Sequence, residues 1–241
     1  MPNEGMRRLH WWRTVFYLIP AVTLYTIVLG TVSLFSTLFD RSGNVAHRCA
    51  RAWARLILAT TGVHVQVSGL EHLQAGRSYV FASNHQSIYD IPILFASIPM
   101  QLRIVAKQSL GRIPFMGWHL HRAGHLLVDR RRPGPDIVRK MRRLVGASSS
   151  LIVFPEGTRS LDGSLRRFKK GPFLVAIDAG LPVVPVSIGG SRQVMKKGRL
   201  MVCPGEVRLT VHEPIPTTGV AREQVLEFAD RARQIVAADA R

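Results

Sequence analysis

Acidic residues are scarce in this chain: 15 Asp and Glu stand against 33 Lys and Arg, leaving a formal charge of +18. Partners are therefore expected to be anionic, whether a membrane face, phosphorylated small molecules or nucleic acid. Cysteine is scarcer still. Cys49 and Cys203 alone make neither a disulfide framework nor a zinc site, and they fit a reducing compartment. Aromatic residues, 7% of the chain, are not interleaved with the basic ones as a single-strand nucleic-acid binder requires. No Gly-x-Ser-x-Gly elbow and no reactive cysteine setting occurs, so no covalent intermediate on the protein is expected. Internal repeats and low-complexity linkers are also missing. The 241 residues suffice for one large domain, or one domain with an appendage.

The chain does hold one long uncharged run, Thr14 to Phe39. At 1.5 Å per residue it is long enough for a bilayer core of about 30 Å. Arg7, Arg8 and Arg13 precede it, with Trp11 and Trp12 placed as interfacial anchors, while Arg41, Arg48, Arg51 and Arg55 follow it. Positive charge on both flanks gives no direction by the positive-inside rule. Pro20 and Gly30 offer places to bend, and a re-entrant hairpin would keep both basic flanks on the cytoplasmic side. Spanning and one-leaflet attachment both stay open. A cleaved signal peptide is disfavoured, because the run is too long and no Ala-x-Ala site closes it. Residues 1–60 are read as a membrane-associated helical segment, with 44–60 an amphipathic helix in which Val45, Cys49, Trp53 and Ile57 recur at four-residue steps.

From residue 61 the period changes. Val63, Val65 and Val67 alternate as a strand, and short apolar runs at 79–82, 102–106, 126–128, 151–154 and 183–188 read as further strands, with 207–211 the last. Helices are expected at about 89–96, 135–145, 172–179 and 221–237. Strands alternating with helices predict an α/β domain over 61–241, a mostly parallel sheet flanked by helices.

Polar clusters follow several of these strands. Asn84-His85-Gln86-Ser87-Ile88-Tyr89-Asp90 comes after the second, Lys107 ends the third, Asp129-Arg130 the fourth, and Pro155-Glu156-Gly157-Thr158-Arg159-Ser160 the fifth. In parallel neighbours these would converge at the carboxyl edge of the sheet, where open α/β folds gather ligands. Five residues apart on a regular helix, His85 and Asp90 would point about 140° apart, so they meet only if the chain turns between them. In that case the carboxylate fixes the imidazole tautomer and the ring serves as a base. Otherwise His85 only precedes a helix and Asp90 only complements its dipole. Arg130 and Arg159 suit phosphate as bidentate forks, Lys107 and Lys169 as point charges, and Gly157 lets the backbone turn closely about a ligand. His119, His121 and His125 lack a carboxylate at metal-ligand spacing, so no metal is expected. The run Arg130-Arg131-Arg132 and the basic residues at 139–143 read as a solvated or lipid-attracting face rather than a nucleic-acid patch.

The four blocks resemble those of the glycerolipid acyltransferases, in the same order: the His-x4-Asp of 85–90, Gly124-His125-Leu126-Leu127-Val128-Asp129-Arg130, Phe154-Pro155-Glu156-Gly157-Thr158-Arg159-Ser160, and Val184-Pro185-Val186. Leu126-Leu127 stands where an aromatic or isoleucine is more usual, a packing change. The nearest likeness is to bacterial 1-acylglycerol-3-phosphate acyltransferases. It implies an acyltransferase α/β fold, His85 as general base, Asp90 as its orienting partner, and Arg130, Glu156 and Arg159 as binders of the acyl acceptor. It further implies direct attack of a lysophosphatidic acid hydroxyl on the thioester of acyl-CoA or acyl carrier protein, without a cofactor, at the cytoplasmic side of the cell membrane. The same transfer to another lysolipid or an aminolipid is the alternative. A membrane-attached nucleic-acid binder without catalysis is the remote one.

Overall fold

The computed structural model describes residues 4–40, 42–129, 137–144 and 149–240. Arg41, the Arg130-Arg131-Arg132 run and the ends of the helix expected at 135–145 lie outside them.

Helix α1 (Glu4–Arg13), a π-helical turn (Thr14–Leu18) and α2 (Ile19–Ser36) run on as one 33-residue rod, long and apolar enough to cross a membrane. The sequence offers Pro20 and Gly30 as places to bend, and the helix is continuous through both. The wider turn just before Pro20 absorbs its missing N–H. Gly30 instead permits close approach, since a Cβ there would sit 3.0 Å from the Cβ of Phe115. The reversal comes after Ser36, where Asp40 accepts hydrogen bonds from the N–H groups of Gly43 (3.2 Å) and Val45 (2.6 Å) at the start of α3 (Asn44–Thr61). The Ser42 hydroxyl above all, with those backbone donors, holds the Asp40 carboxyl below its ordinary range. Trp53 Nε1 donates to Thr26 Oγ1 at 3.0 Å, and Tyr25 and Thr60 share a hydroxyl contact at 3.0 Å, so α2 and α3 pack as a pinned hairpin. The side of the rod away from α3 exposes Leu9, Trp12, Phe16, Leu24, Val28 and Phe35, an apolar stripe far larger than a water-facing helix carries.

The rest alternates strands and helices: β1 (Val63–Ser68), β2 (Val80–Ser83), α4 (Asp90–Ser97), β3 (Leu102–Lys107), α5 (Met116–Arg122), β4 (Leu126–Val128), α6 (Ile137–Leu144), β5 (Ser150–Val153), α7 (Gly171–Asp178), β6 (Val183–Gly189), α8 (Ser191–Val194), β7 (Gly205–Val211) and α9 (Val225–Asp239). The seven strands form one sheet in the order β1-β7-β6-β2-β5-β3-β4. Among the described residues every strand pairing is parallel except β6 with β7. β2, β5 and β6 are buried at every position, as continuous apolar runs in a doubly covered sheet must be. One core cluster joins α3 and α4 to the first face, and another joins α7 and α9 to the second. The strand order sets the chemistry: β6, β2, β5, β3 and β4 all end at the same edge.

Beneath α2, three histidines are held neutral. Burial above all, with the Arg103 guanidinium adding repulsion, lowers His119 to about 4. Burial, then Arg51 and Arg103, lowers His47 to about 4, and His125 falls well below its ordinary value for the same leading reason. His119 Nδ1 shares a 2.6 Å hydrogen bond with Ser33 Oγ on α2, and His125 Nδ1 accepts the Ile104 N–H at 3.1 Å. With folded-state values near 4 against an unfolded 6.5, His47 and His119 contribute stability that is complete above about pH 6.5 and lost as pH falls through about 4, and His125 acts in the same direction. We expect the thermal transition to drop over that window and His119→Gln to flatten the drop. An equal drop in both proteins would show that His119 is not part of the cause.

Candidate active site

His85 and Asp90 do meet. After β2 the Asn84 side chain exchanges two hydrogen bonds with Ile188 on β6, donating to its carbonyl and accepting its N–H, both at 2.8 Å. The main chain then turns tightly, so Asp90 arrives as the first residue of α4 with Oδ2 at 2.8 Å from His85 Nδ1. The same oxygen accepts the N–H of Gln86 (2.8 Å) and Ser87 (2.9 Å). A carboxylate in that position places the imidazole proton on Nδ1 and makes Nε2 the basic nitrogen. The ring is buried and stacks on Phe154, centroids 3.9 Å apart.

Glu156 holds the same loop from β5. Its Oε1 accepts the His85 N–H at 2.7 Å, and its Oε2 accepts the Arg166 N–H at 3.0 Å. The Ser160 N–H donates back to the His85 carbonyl at 2.9 Å. Burial raises the Glu156 carboxyl above its usual value, with the two backbone donors pulling the other way. Adjacent strands are thus stitched through the main chain of His85, 71 residues from Glu156 in sequence.

Two lysines reach the turn that follows Glu156. Gly157 adopts φ +76°, and a Cβ there would lie 2.9 Å from Lys169 Nζ, so glycine is what lets that ammonium close on the turn. Thr158 and Arg159 are half-buried. Lys197 donates to Thr158 Oγ1 at 3.2 Å and to the Arg159 carbonyl at 2.8 Å. Sequence reasoning missed Lys197: it lies in an irregular segment 38 residues beyond Arg159, and only its place in a Lys-Lys pair after β6 marked it. Lys107 sits exposed at the end of β3, the strand next to β5 at the same edge. Arg130 falls outside the described residues.

An apolar cavity of about 140 Å³ lies between the helical hairpin and the sheet. Gly30 and Trp53 line it from the hairpin, Ile91 and Phe95 from α4, and Ile88 from the His85–Asp90 turn. The His85–Asp90 turn thus adjoins both the 157–160 turn, which Lys169 and Lys197 approach, and an apolar chamber. That set suits the activation of a hydroxyl on an amphiphile bearing an anionic head. Among the described residues no group of three or more His, Cys, Asp or Glu is disposed to hold a metal.

A family model described as Acyltransferase matches residues 64–189. The chain is 34% identical over 202 residues to the chloroplastic 1-acyl-sn-glycerol-3-phosphate acyltransferase BAT2 of Brassica napus, covering 82% of this chain and 58% of that one. It is 31% identical over 206 residues to the 1-acyl-sn-glycerol-3-phosphate acyltransferase of Saccharomyces cerevisiae, covering 83% and 68%. The crystal structure of the 1-acyl-sn-glycerophosphate (LPA) acyltransferase PlsC from Thermotoga maritima superposes with a TM-score of 0.80 at 28% identity, covering 96% of this chain and 98% of that one. This chain spans about three-fifths of the length of the chloroplast-type and algal relatives it matches. Fold, ordered blocks and relatives agree, and the chain belongs to the acyltransferase family.

Proposed function

We propose that this protein moves a fatty acyl group from an acyl thioester to the free sn-2 hydroxyl of lysophosphatidic acid, giving phosphatidic acid, at the cytoplasmic face of the cell membrane. The observation that carries this reading is the 2.8 Å His85–Asp90 contact, in a turn that adjoins both the 157–160 turn and the apolar chamber. The names of the relatives agree with it.

In the proposed reaction His85 Nε2 takes the hydroxyl proton as the oxygen attacks the thioester carbonyl. The tetrahedral intermediate collapses, the C–S bond breaks, and the thiolate leaves with the proton carried by the imidazolium. Asp90 keeps the tautomer and supports the transient positive charge, a role worth roughly 10²–10⁴-fold together with the base it orients. Direct attack on a thioester calls for no cofactor or metal. Arg159, Lys169 and Lys107 are assigned to the acceptor's phosphate, with Gly157 and Thr158 shaping the turn that presents them. The family resemblance adds Arg130. Glu156 we assign to positioning, since both its oxygens serve backbone N–H groups. The acyl chain is assigned to the cavity below Ile88. The exposed stripe of the α1–α2 rod would rest in the lipid.

Purified protein given lysophosphatidic acid and either acyl-CoA or acyl carrier protein as donor tests the activity and names the donor. Arg159→Ala is expected to raise KM for lysophosphatidic acid by about 10–100-fold, as loss of a charge-assisted hydrogen bond of about 1.5–3 kcal/mol implies. KM for a monoacylglycerol, which has no phosphate, should barely change. A uniform rise across both acceptors would remove Arg159 from the phosphate site.

A further inference from the structure

A second cleft, of about 1180 Å³, opens between α1 and the segment that joins α8 to β7. Arg7 and Arg8 line one wall, and Arg192, Lys196 and Arg199 the other, with Glu4 as the one acidic group among the lining residues. Arg192 is held in place by donating to the Leu161 carbonyl at 2.8 Å. His10 also faces this space, and its Nδ1 is buried with no partner among the described residues. The walls are fixed to each other at the base, where the Val202 N–H donates to Thr14 Oγ1 at 3.0 Å. Trp11 and Leu200, 44% and 50% exposed, give the cleft an apolar rim.

The segment forming the second wall also reaches the active site. Its Met195 carbonyl accepts the Ser87 hydroxyl at 2.8 Å, within the His85–Asp90 turn, and its Lys197 holds Thr158 and the Arg159 carbonyl. A ligand bridging α1 to Lys196 and Arg199 would brace that segment.

We propose that this cleft is a second lipid site, which takes the phosphate headgroup of an anionic phospholipid from the bilayer the protein rests on. Paired guanidinium groups favour phosphate oxygens, and lysines add charge attraction. The commitment to a membrane lipid rests on place. The helix carrying Arg7 and Arg8 runs on into the part of the rod that exposes the apolar stripe, and the rim of the cleft is itself apolar at Trp11 and Leu200, so a phosphate bound here can lay its acyl chains along Trp11. Free phosphate makes no use of an apolar rim, and a nucleotide phosphate makes no use of the stripe. The inference is independent of which acceptor the active site acylates.

The test uses the full chain in a neutral detergent, with binding of dioctanoyl phosphatidylglycerol and dioctanoyl phosphatidylcholine followed by native mass spectrometry. Inorganic phosphate and free CoA are titrated in parallel. Phosphatidylglycerol should bind at least tenfold tighter than phosphatidylcholine, and the double variant Lys196→Gln/Arg199→Gln should lose that preference. A control of equal charge change at exposed positions elsewhere, Arg77→Gln/Arg231→Gln, should stay within twofold of the native chain. Equal loss in the control reduces the effect to net charge and overturns the site. CoA or phosphate binding as tightly as phosphatidylglycerol, and weakened by the same double variant, overturns the lipid assignment. If the double variant unfolds, Arg199→Gln alone is read against Arg77→Gln by the same criteria.

Discussion

Glu156→Gln is expected to lower kcat by about 10²-fold, the scale of a misplaced reacting group, while leaving KM for the acceptor nearly unchanged. Glutamine has one acceptor oxygen where glutamate has two. Its NH2 must therefore face either the His85 N–H or the Arg166 N–H, donor against donor. The bond lost costs about 1–3 kcal/mol because a buried donor goes unpaired. Against that loss runs a gain, because burial raises the Glu156 carboxyl and the neutral amide escapes the penalty of a desolvated charge. With the folded value raised, Glu156 contributes stability at low pH that is lost as pH rises through that value. The variant should not show that decline, so its thermal transition near neutral pH should lie close to the native one. What suffers is the placement of the His85 main chain. The family resemblance implies instead that Glu156 binds the acceptor. That role predicts the opposite split, a raised KM with kcat preserved, and steady-state kinetics at saturating donor separates the two.

Local pattern carried much of the fold. Continuous apolar runs such as Val183–Ile188 gave the buried parallel strands, and the alternation from Val63 gave β1. Polar clusters just past strand ends point to one edge of the sheet, and the structure joins His85, Asp90 and Glu156 there through hydrogen bonds. The reversal of β7 against β6 left no trace in its alternation, because strand direction does not alter side-chain period. The π-helical turn before Pro20 was illegible, because the rule for proline counts the lost hydrogen bond and not the wider turn that accommodates it. Long-range polar contacts were illegible for a different reason. The bonds from Glu156 to the His85 N–H and from Lys197 to the Arg159 carbonyl join segments far apart in sequence, and no spacing rule links them. The sequence raises His119 as a metal ligand and His125 as that or as part of a family block, but not the core contacts either makes. Their contacts with Ser33 and the Ile104 N–H depend on how the hairpin docks, which composition does not encode.

His85→Gln should be the most damaging single change. Asp90 Oδ2 still accepts the Gln86 and Ser87 N–H groups, so the loop should hold its shape. What disappears is the nitrogen able to accept a proton from the hydroxyl. A neutral alcohol is a poor nucleophile, and loss of the positioned base should lower kcat by about 10²–10⁴-fold with little effect on KM for either substrate. Asp90→Asn should be milder in binding and comparable in rate, since the ring keeps its place but loses the charge that supports its protonated form. Neither change touches the apolar stripe, so both proteins should still sediment with membranes.

The decisive measurement is the rate of phosphatidic acid formation by the native and His85→Gln chains, at saturating lysophosphatidic acid and acyl donor, with thermal transitions recorded in the same buffer. Here a rate reduced about a hundredfold or more in a protein that melts like the native one is the predicted result. Turnover by the variant at a native-like rate would contradict the assignment of His85 as the base.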